Sequence, residues 1–397
     1  MDAGRDNRHR SNPLATFASV ETAGSIVLFA ATVLALLWEN SPWHTGYEHL
    51  WEIRLAHVGV LVDIDVTLHF FVNEVLMTLF FFVVGLEIRR EAHEGALSSL
   101  RLAALPVAAA AGGVLAPALI YLGISHGTEH AGAWAVPTAT DIAFAVGVLA
   151  LLGKRVPPAL RALLLALAIA DDVAAIVIIA IVFAGGVSVT GLAIAAAAIA
   201  GVLALRKLGV GAEIVYVLPG AILWVGLLDA GIHPVLAGVI LGLLTPMRAR
   251  HVNEPPPAVR VERLLHPWIA FLVMPLFAVA NAGIRIGGID LGDPALGTLM
   301  MAVLVGLVVG KPLGIASTAW LAVRLGWCAL PPGVRMSGVL VIGCLGGIGF
   351  TMAIFIATLA FPSAEALAAA KLAVLVGSAA AAVLGLGLGA KLLRRPS

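Results

Sequence analysis

Charge is what this chain has least of. Of its 397 residues only 12% are Asp, Glu, Lys or Arg, about half the share of a soluble globular chain. That excludes a water-soluble enzyme and a disordered protein alike. Neither sign is in excess: the net charge of +1 offers no basic face to phosphate and excludes a nucleic-acid binder. Cysteine is nearly absent. Cys328 and Cys344 lie far apart in apolar surroundings, so there is no disulfide framework and no CxxC metal motif. Short alternating apolar-polar segments are lacking too, which argues against a β-barrel. What is present is apolar: 61% hydrophobic residues and a mean hydropathy of +1.04. The fold class is an all-α polytopic membrane protein, read as a single transporter domain over 1–397.

A helical span needs about 20 mostly apolar residues. Twelve transmembrane helices are expected, at roughly 14–38, 66–88, 102–124, 131–152, 159–183, 187–205, 213–228, 232–246, 266–284, 296–322, 336–361 and 367–390. The seventh and eighth are short, and Gly231 and Pro234 punctuate them. With the N-terminus inside, twenty of the 24 basic residues fall in cytoplasmic segments. Only Arg54 and Arg285 fall outside, while Lys311 and Lys371 fall within spans. This lysine-arginine bias puts both termini in the cytoplasm. The polar first twelve residues and the long first span do not resemble a cleavable signal peptide. The inside loop 247–265 carries Pro255, Pro256 and Pro257 and reads as an irregular connector. The outside residues 52–62, EIRLAHVGVLV, read equally well as an irregular loop or as a surface β-hairpin able to pair with a second copy.

Spans four and eleven are interrupted. The fourth carries Pro137-Thr138-Ala139-Thr140-Asp141; the eleventh carries Gly343, Gly346, Gly347 and Gly349, then Thr351. Paired interrupted spans in corresponding halves point to a transporter binding site. Three-span units around each break, 3–5 and 10–12, would run with opposite topology, as an inverted repeat.

Charges near the bilayer centre cost at least ~2.5–3.5 kcal/mol each, and here the list is short: Asp141, Asp171, Asp172 and Lys311. Adjacent helical residues point about 100° apart. One of Asp171 and Asp172 can therefore face a partner such as Lys311 while the other faces a cavity. A buried ion pair with no transport role explains one aspartate and one lysine, but leaves the surplus carboxylates unexplained. Carboxylate oxygens suit hard cations such as sodium and also bind protons, so cation and protons would compete for one site. Asp141 can offset the positive end of a half-helix, and Lys311 a negative end. Thr140 offers oxygen to a cation or bonds back to its own helix.

A second polar group lies at the inside rim: Glu87, Arg90 and Glu91 ending span two, with Glu262, Arg263 and His266 entering span nine. Glu87 shares a helix face with Arg90 and Glu91, and His266 titrates near neutral pH. The group reads as a pH-sensing funnel mouth or, more conservatively, as a headgroup-level charge belt. Glu74, in mid-span two, could line the funnel. Glu21 and His233 read as interfacial or packing residues.

The segments FFFVVGLEIRRE, AWAVPTATDIAFAVGVLALLGKRVP, ALAIADDVAAI, HPVLAGVILG, HPWIAFLVMPLFAVANAG, GKPLGI and GGIGFTMAIFIATLAF resemble the NhaA-type sodium/proton antiporter family from about residue 12 to 392. The resemblance implies twelve helices with broken, crossing spans four and eleven. It implies that Asp172 is the main sodium ligand and that Asp171 forms an ion pair with Lys311 that breaks as sodium binds. Asp141 and Lys311 would balance the half-helix ends, with Thr140 beside the site; the metal site would be Asp172, Asp171 and Thr140 for Na+. The resemblance also makes Glu87, Arg90, Glu91, Glu262 and His266 a pH-response site active at alkaline pH, and the 52–62 segment a dimerising hairpin. It implies a pH-regulated, electrogenic Na+(Li+)/H+ antiporter of the bacterial inner membrane. Such a protein is a homodimer in lipid, is not an enzyme, and needs no cofactor beyond the transported Na+ or Li+ and H+. The chain departs from the family pattern at Arg263 (a histidine in relatives), Glu74 (an aspartate) and Gly346 (a cysteine). Two rivals are a sodium-coupled organic-solute transporter on the same fold and an intramembrane aspartyl protease using Asp141 and Asp171. The charged Asp141, Asp171 and Lys311 argue against the first. For the second, the late GGIGF step lacks an aspartate.

Overall fold

The computed structural model describes residues 13–59, 63–186, 188–210, 213–248, 254–290 and 292–393. The expected cytoplasmic tail at 1–12, residues 249–253 of the inside loop, and Arg394 and Arg395 lie outside the described residues.

Helices dominate because long apolar runs leave the backbone no other partner in lipid. Among the described residues, eight helices are long and apolar enough to span a membrane, and ten if each of two bent pairs counts once. In chain order, α1 is Pro13–Glu39 and α2 is the short helix His44–Glu52. Strands β1 (Arg54–Gly59) and β2 (Asp63–Thr67) follow. Then come α3 (Leu68–Glu94) and α4 (Leu100–Ile124). A 3-10 segment, Glu129–Thr138, leads to α5 (Ile142–Leu151) across a 50° bend. Next are α6 (Pro158–Val182), α7 (Val189–Lys207), α8 (Val217–Asp229) and α9 (Leu236–Leu244). Helix α10 runs from Pro257 through Asn281, and α11 is Pro294–Arg324. The second bent pair is α12 (Met336–Gly346) with α13 (Phe350–Ala360), at 47°. Helix α14, Ala364–Leu392, completes the chain. Both interruptions fall where the sequence put them. Helices α8 and α9 lie where the seventh and eighth spans were expected, but with 13 and 9 helical residues neither is among the helices long enough to cross a membrane.

Three details correct the sequence reading. The 247–265 connector is helical from Pro257 onward, because proline at the first helical position has no amide hydrogen to leave unpaired. The hairpin is present but displaced: its second strand is Asp63–Thr67, DIDVT, whose period-two alternation suits a strand. The strands are antiparallel, pairing His57 with Asp65; the turn, 60–62, lies outside the described residues. Finally, π turns interrupt three long helices, at Phe71–Leu76, Ile269–Val273 and Gly306–Gly310. The third ends immediately before Lys311.

Small residues bring the helix axes close, as lipid-embedded packing requires. A Cβ built on Gly314 of α11 would lie 2.0 Å from the carbonyl oxygen of Gly112 in α4. Helices α3 and α9 approach as closely: a Cβ on Gly238 would meet the Thr78 carbonyl at 2.1 Å. The buried core runs through α13 and α14, and α13 is buried along nearly its whole length.

Candidate functional site

The two breaks meet. The Asp141 amide donates to the Ile348 carbonyl at 2.7 Å, stitching the extended Ala139–Asp141 to the turn at 347–349. Two half-helix N-termini, those of α5 and α13, therefore converge on the Asp141 carboxylate. Its Oδ1 accepts from the Phe144 amide at 3.0 Å, and its Oδ2 from the Thr351 amide at 3.1 Å and from the Thr351 hydroxyl. One carboxylate thus caps both positive ends. The Phe350 amide is taken up separately by Ser378 Oγ on α14, at 3.1 Å.

One negative end, that of α12, is served by Lys311 through an intermediary. Its ammonium donates to Asp171 Oδ2 at 2.6 Å and to Thr140 Oγ1 at 2.9 Å. The Thr140 hydroxyl donates in turn to the Gly346 carbonyl at 2.8 Å, the last residue of α12. The lysine charge reaches that helix end through a threonine rather than directly. Lys311 is fully buried, at 0% exposure, and Asp171 at 3%. Deep burial makes such a pair costly to open unless both partners find substitutes. Asp171 keeps its other oxygen, Oδ1, buried with no hydrogen-bond partner.

Asp172 faces elsewhere. It shares a face of α6 with Leu165 and Ile169, and with them lines a cavity of about 130 Å³, room for roughly four waters. Thr140 and Asp141 line the same cavity, so it reaches the crossing. The divergence of Asp171 and Asp172 is what their adjacency on one helix dictates.

The other mouth of this cavity is the rim group. Glu87, Arg90, Glu91 and His266 all line it. Arg90 pairs with Glu262, which is buried, and lies 3.7 Å from Glu91. One continuous space therefore joins the rim to the buried carboxylates. Glu74 is not part of it. It sits in the first π turn, where its Oε1 lies 3.7 Å from His233 Nε2. The site residues that sequence reasoning left without a role are Thr351 and Ser378. Thr351 could have been found as a hydroxyl just past the glycine break; Ser378, in a uniform helix, gives no signal.

Interrupted helices that meet at their breaks, with carboxylates at the foot of a cavity reaching in from the rim, are the arrangement of a secondary ion transporter. The family model described as Na+/H+ antiporter 1 matches residues 15–388, and the chain belongs to that family. It is 54% identical to the Na(+)/H(+) antiporter NhaA of Acidovorax sp., over 96% of this chain and 92% of the relative. The antiporter of the same name from Cupriavidus necator is 51% identical, over 93% and 88%. Na(+)/H(+) antiporter NhaA 2 of Myxococcus xanthus is 47% identical, over 98% and 91%.

Proposed function

We propose that this chain exchanges sodium, or lithium, for protons across a bacterial inner membrane by letting cation and protons compete for Asp172. The observation that carries this reading is the placement of Asp172: buried, accepting no hydrogen bond among the described residues, and facing the cavity. It is the one carboxylate of the three that a cation from the rim reaches without first breaking a bond. A sodium ion at Asp172 draws Asp171 and Thr140 toward it, loosening their hold on Lys311. Return of protons restores the ion pair. Competition for one site couples the fluxes with no simultaneous occupancy. Transport of more than one proton per sodium makes the exchange electrogenic, with ~2.3 kcal/mol per net charge per 100 mV. The names of the relatives give the organic-solute alternative no support.

The same reading takes Glu87, Arg90, Glu91, Glu262 and His266 as the pH-response group at the cytoplasmic mouth. It takes the chain as twelve crossings with both termini inside, α8 and α9 being the two short ones. Two long-broken-long units, α4 to α6 and α11 to α14, form the inverted repeat, and the hairpin edge pairs two copies into a dimer. The test is proton flux in inside-out vesicles from cells lacking their own antiporters. Added sodium should dissipate an acid-inside pH gradient, more strongly toward alkaline pH. No sodium response from inserted protein would refute antiport.

A further inference from the structure

A second pocket lies at the other end of the molecule. Glu39, Tyr47, Glu48, Trp51, Glu52 and His69 line it, where α1 and α2 end and α3 begins. On the topology above this is the external face, and the inference rests on that orientation and on antiport.

Three carboxylates in one pocket do not make a site, but Glu39 is unlike the other two. Glu48 and Glu52 are exposed. Glu39 is 6% exposed, and its Oε2 is buried with no hydrogen-bond partner. A buried carboxylate oxygen left without a donor is costly unless something supplies one. The charges acting on Glu39 are Glu48 and His44 from α2 and Arg285 from the turn after α10. Asn40 fixes that turn: its amide donates to the Ile284 carbonyl at 2.7 Å and its oxygen accepts from the Ile286 amide at 3.0 Å.

From this pocket a polar line leads inward. His69 is exposed into the pocket, and its ring lies 3.0 Å from the Asn73 side-chain nitrogen. Asn281 Nδ2 donates to Asn73 Oδ1 at 2.7 Å, and Asn281 is fully buried. Lys371 on α14 is the charge that acts on His69. One helical turn before Asn281, Phe277 packs its ring on Phe355 of α13, with centroids 6.2 Å apart. Phe355 lies one turn beyond Thr351, the partner of Asp141. The line thus runs from the outer pocket to within one aromatic layer of the crossing, opposite the inner cavity.

We propose that this pocket is the external proton-loading site of the exchanger, with Glu39 as the acceptor and His69 at the head of the polar line. Hydronium gives its proton to the Glu39 carboxylate and leaves as water; Glu48 and Glu52 hold the local potential negative and so raise the proton concentration there. The site sets how readily external protons enter, and leaves cation binding at Asp172 untouched.

The experiment uses the purified full-length protein in proteoliposomes of one orientation, with the pH of each face set separately and sodium-driven exchange recorded. Wild type should slow as the outer face becomes alkaline. Glu39→Gln removes the acceptor together with its charge. Exchange at an alkaline outer face should fall at least threefold, the outer-face half-activating pH moving down by about half a unit or more, while sodium binding and the inner-face dependence stay as in wild type. Glu39→Asp should restore the wild-type profile. Glu48→Gln, at an exposed position with no part in packing, should shift the outer profile the same way by less. Both shifts should shrink at high ionic strength. An outer-face profile of Glu39→Gln that overlays wild type, or equal shifts at both faces, would overturn the assignment. Wild type showing no sodium-coupled proton movement would overturn antiport itself.

Discussion

Lys311 is the residue on which most of the site leans. It neutralises Asp171 and, through Thr140, the end of α12. Replacing it with alanine leaves a buried carboxylate without its cation, at a cost of about 3–5 kcal/mol. The expected outcome is a clearly lower Tm in detergent; an unchanged Tm would show that the pair carries no stability. Thr351→Val removes the hydroxyl donor to Asp141, at about 1.5–3 kcal/mol for a bond to a charged group. Serine at the same position should recover most of the loss. Asp172→Asn is different in kind: Asp172 makes no bond whose loss would destabilise the fold, so the Tm should hold while exchange falls to background. The identities of Lys311, Asp171, Asp172 and Asp141 were legible in the sequence because charge is so rare in the spans. Their assignments were legible only in part. Adjacency on a helix separates Asp171 from Asp172, but nothing in the sequence says that Asp141 caps two half-helices, which depends on a contact across 210 positions. Glu74, expected as a funnel residue, lies opposite His233 and does not line the cavity that Glu87 lines; thirteen helical residues at about 100° each already set the two about 140° apart.

The breaks are legible because proline, threonine and a glycine run interrupt apolar helices; the crossing of the two breaks was available only through the resemblance. The helix from Pro257 was read as a loop because three prolines outweighed an amphipathic pattern. Close packing offers a direct test. Gly314 meets the backbone of α4 at a distance no Cβ tolerates, so Gly314→Leu must push α4 and α11 apart and should abolish recovery of monodisperse protein; a well-folded variant would mean that the two helices slide freely. The hairpin offers another. Asp65 titrates below the ordinary carboxylate range, because His57 hydrogen-bonds it and Arg54 lies beside it. A carboxylate with a lowered folded pKa stabilises its element above the unfolded value near pH 4 and loses that contribution as pH falls through the folded value. Hydrogen-exchange protection in this hairpin, measured against the intrinsic rate at each pH, should therefore fall below about pH 4, and Asp65→Asn should remove that dependence.

For the whole molecule, an inner cavity joins the rim to Asp172, Thr140 and Asp141, and an outer pocket with its polar line approaches the same crossing from the other side. Between them stand Phe277 and Phe355, packed ring to ring, with Phe81 against Phe355 as well. A structure open on one side and sealed by aromatic packing on the other is what alternating access requires of one of its two states. The proposed coupling rests on cation and protons sharing Asp172. The direct measurement is equilibrium binding of radioactive sodium to the purified protein as a function of pH. One shared proton should weaken the apparent sodium affinity about tenfold for each unit the pH falls, two shared protons up to a hundredfold, and Asp172→Asn should bind no sodium. A sodium affinity independent of pH, or binding that survives in Asp172→Asn, would contradict a shared site.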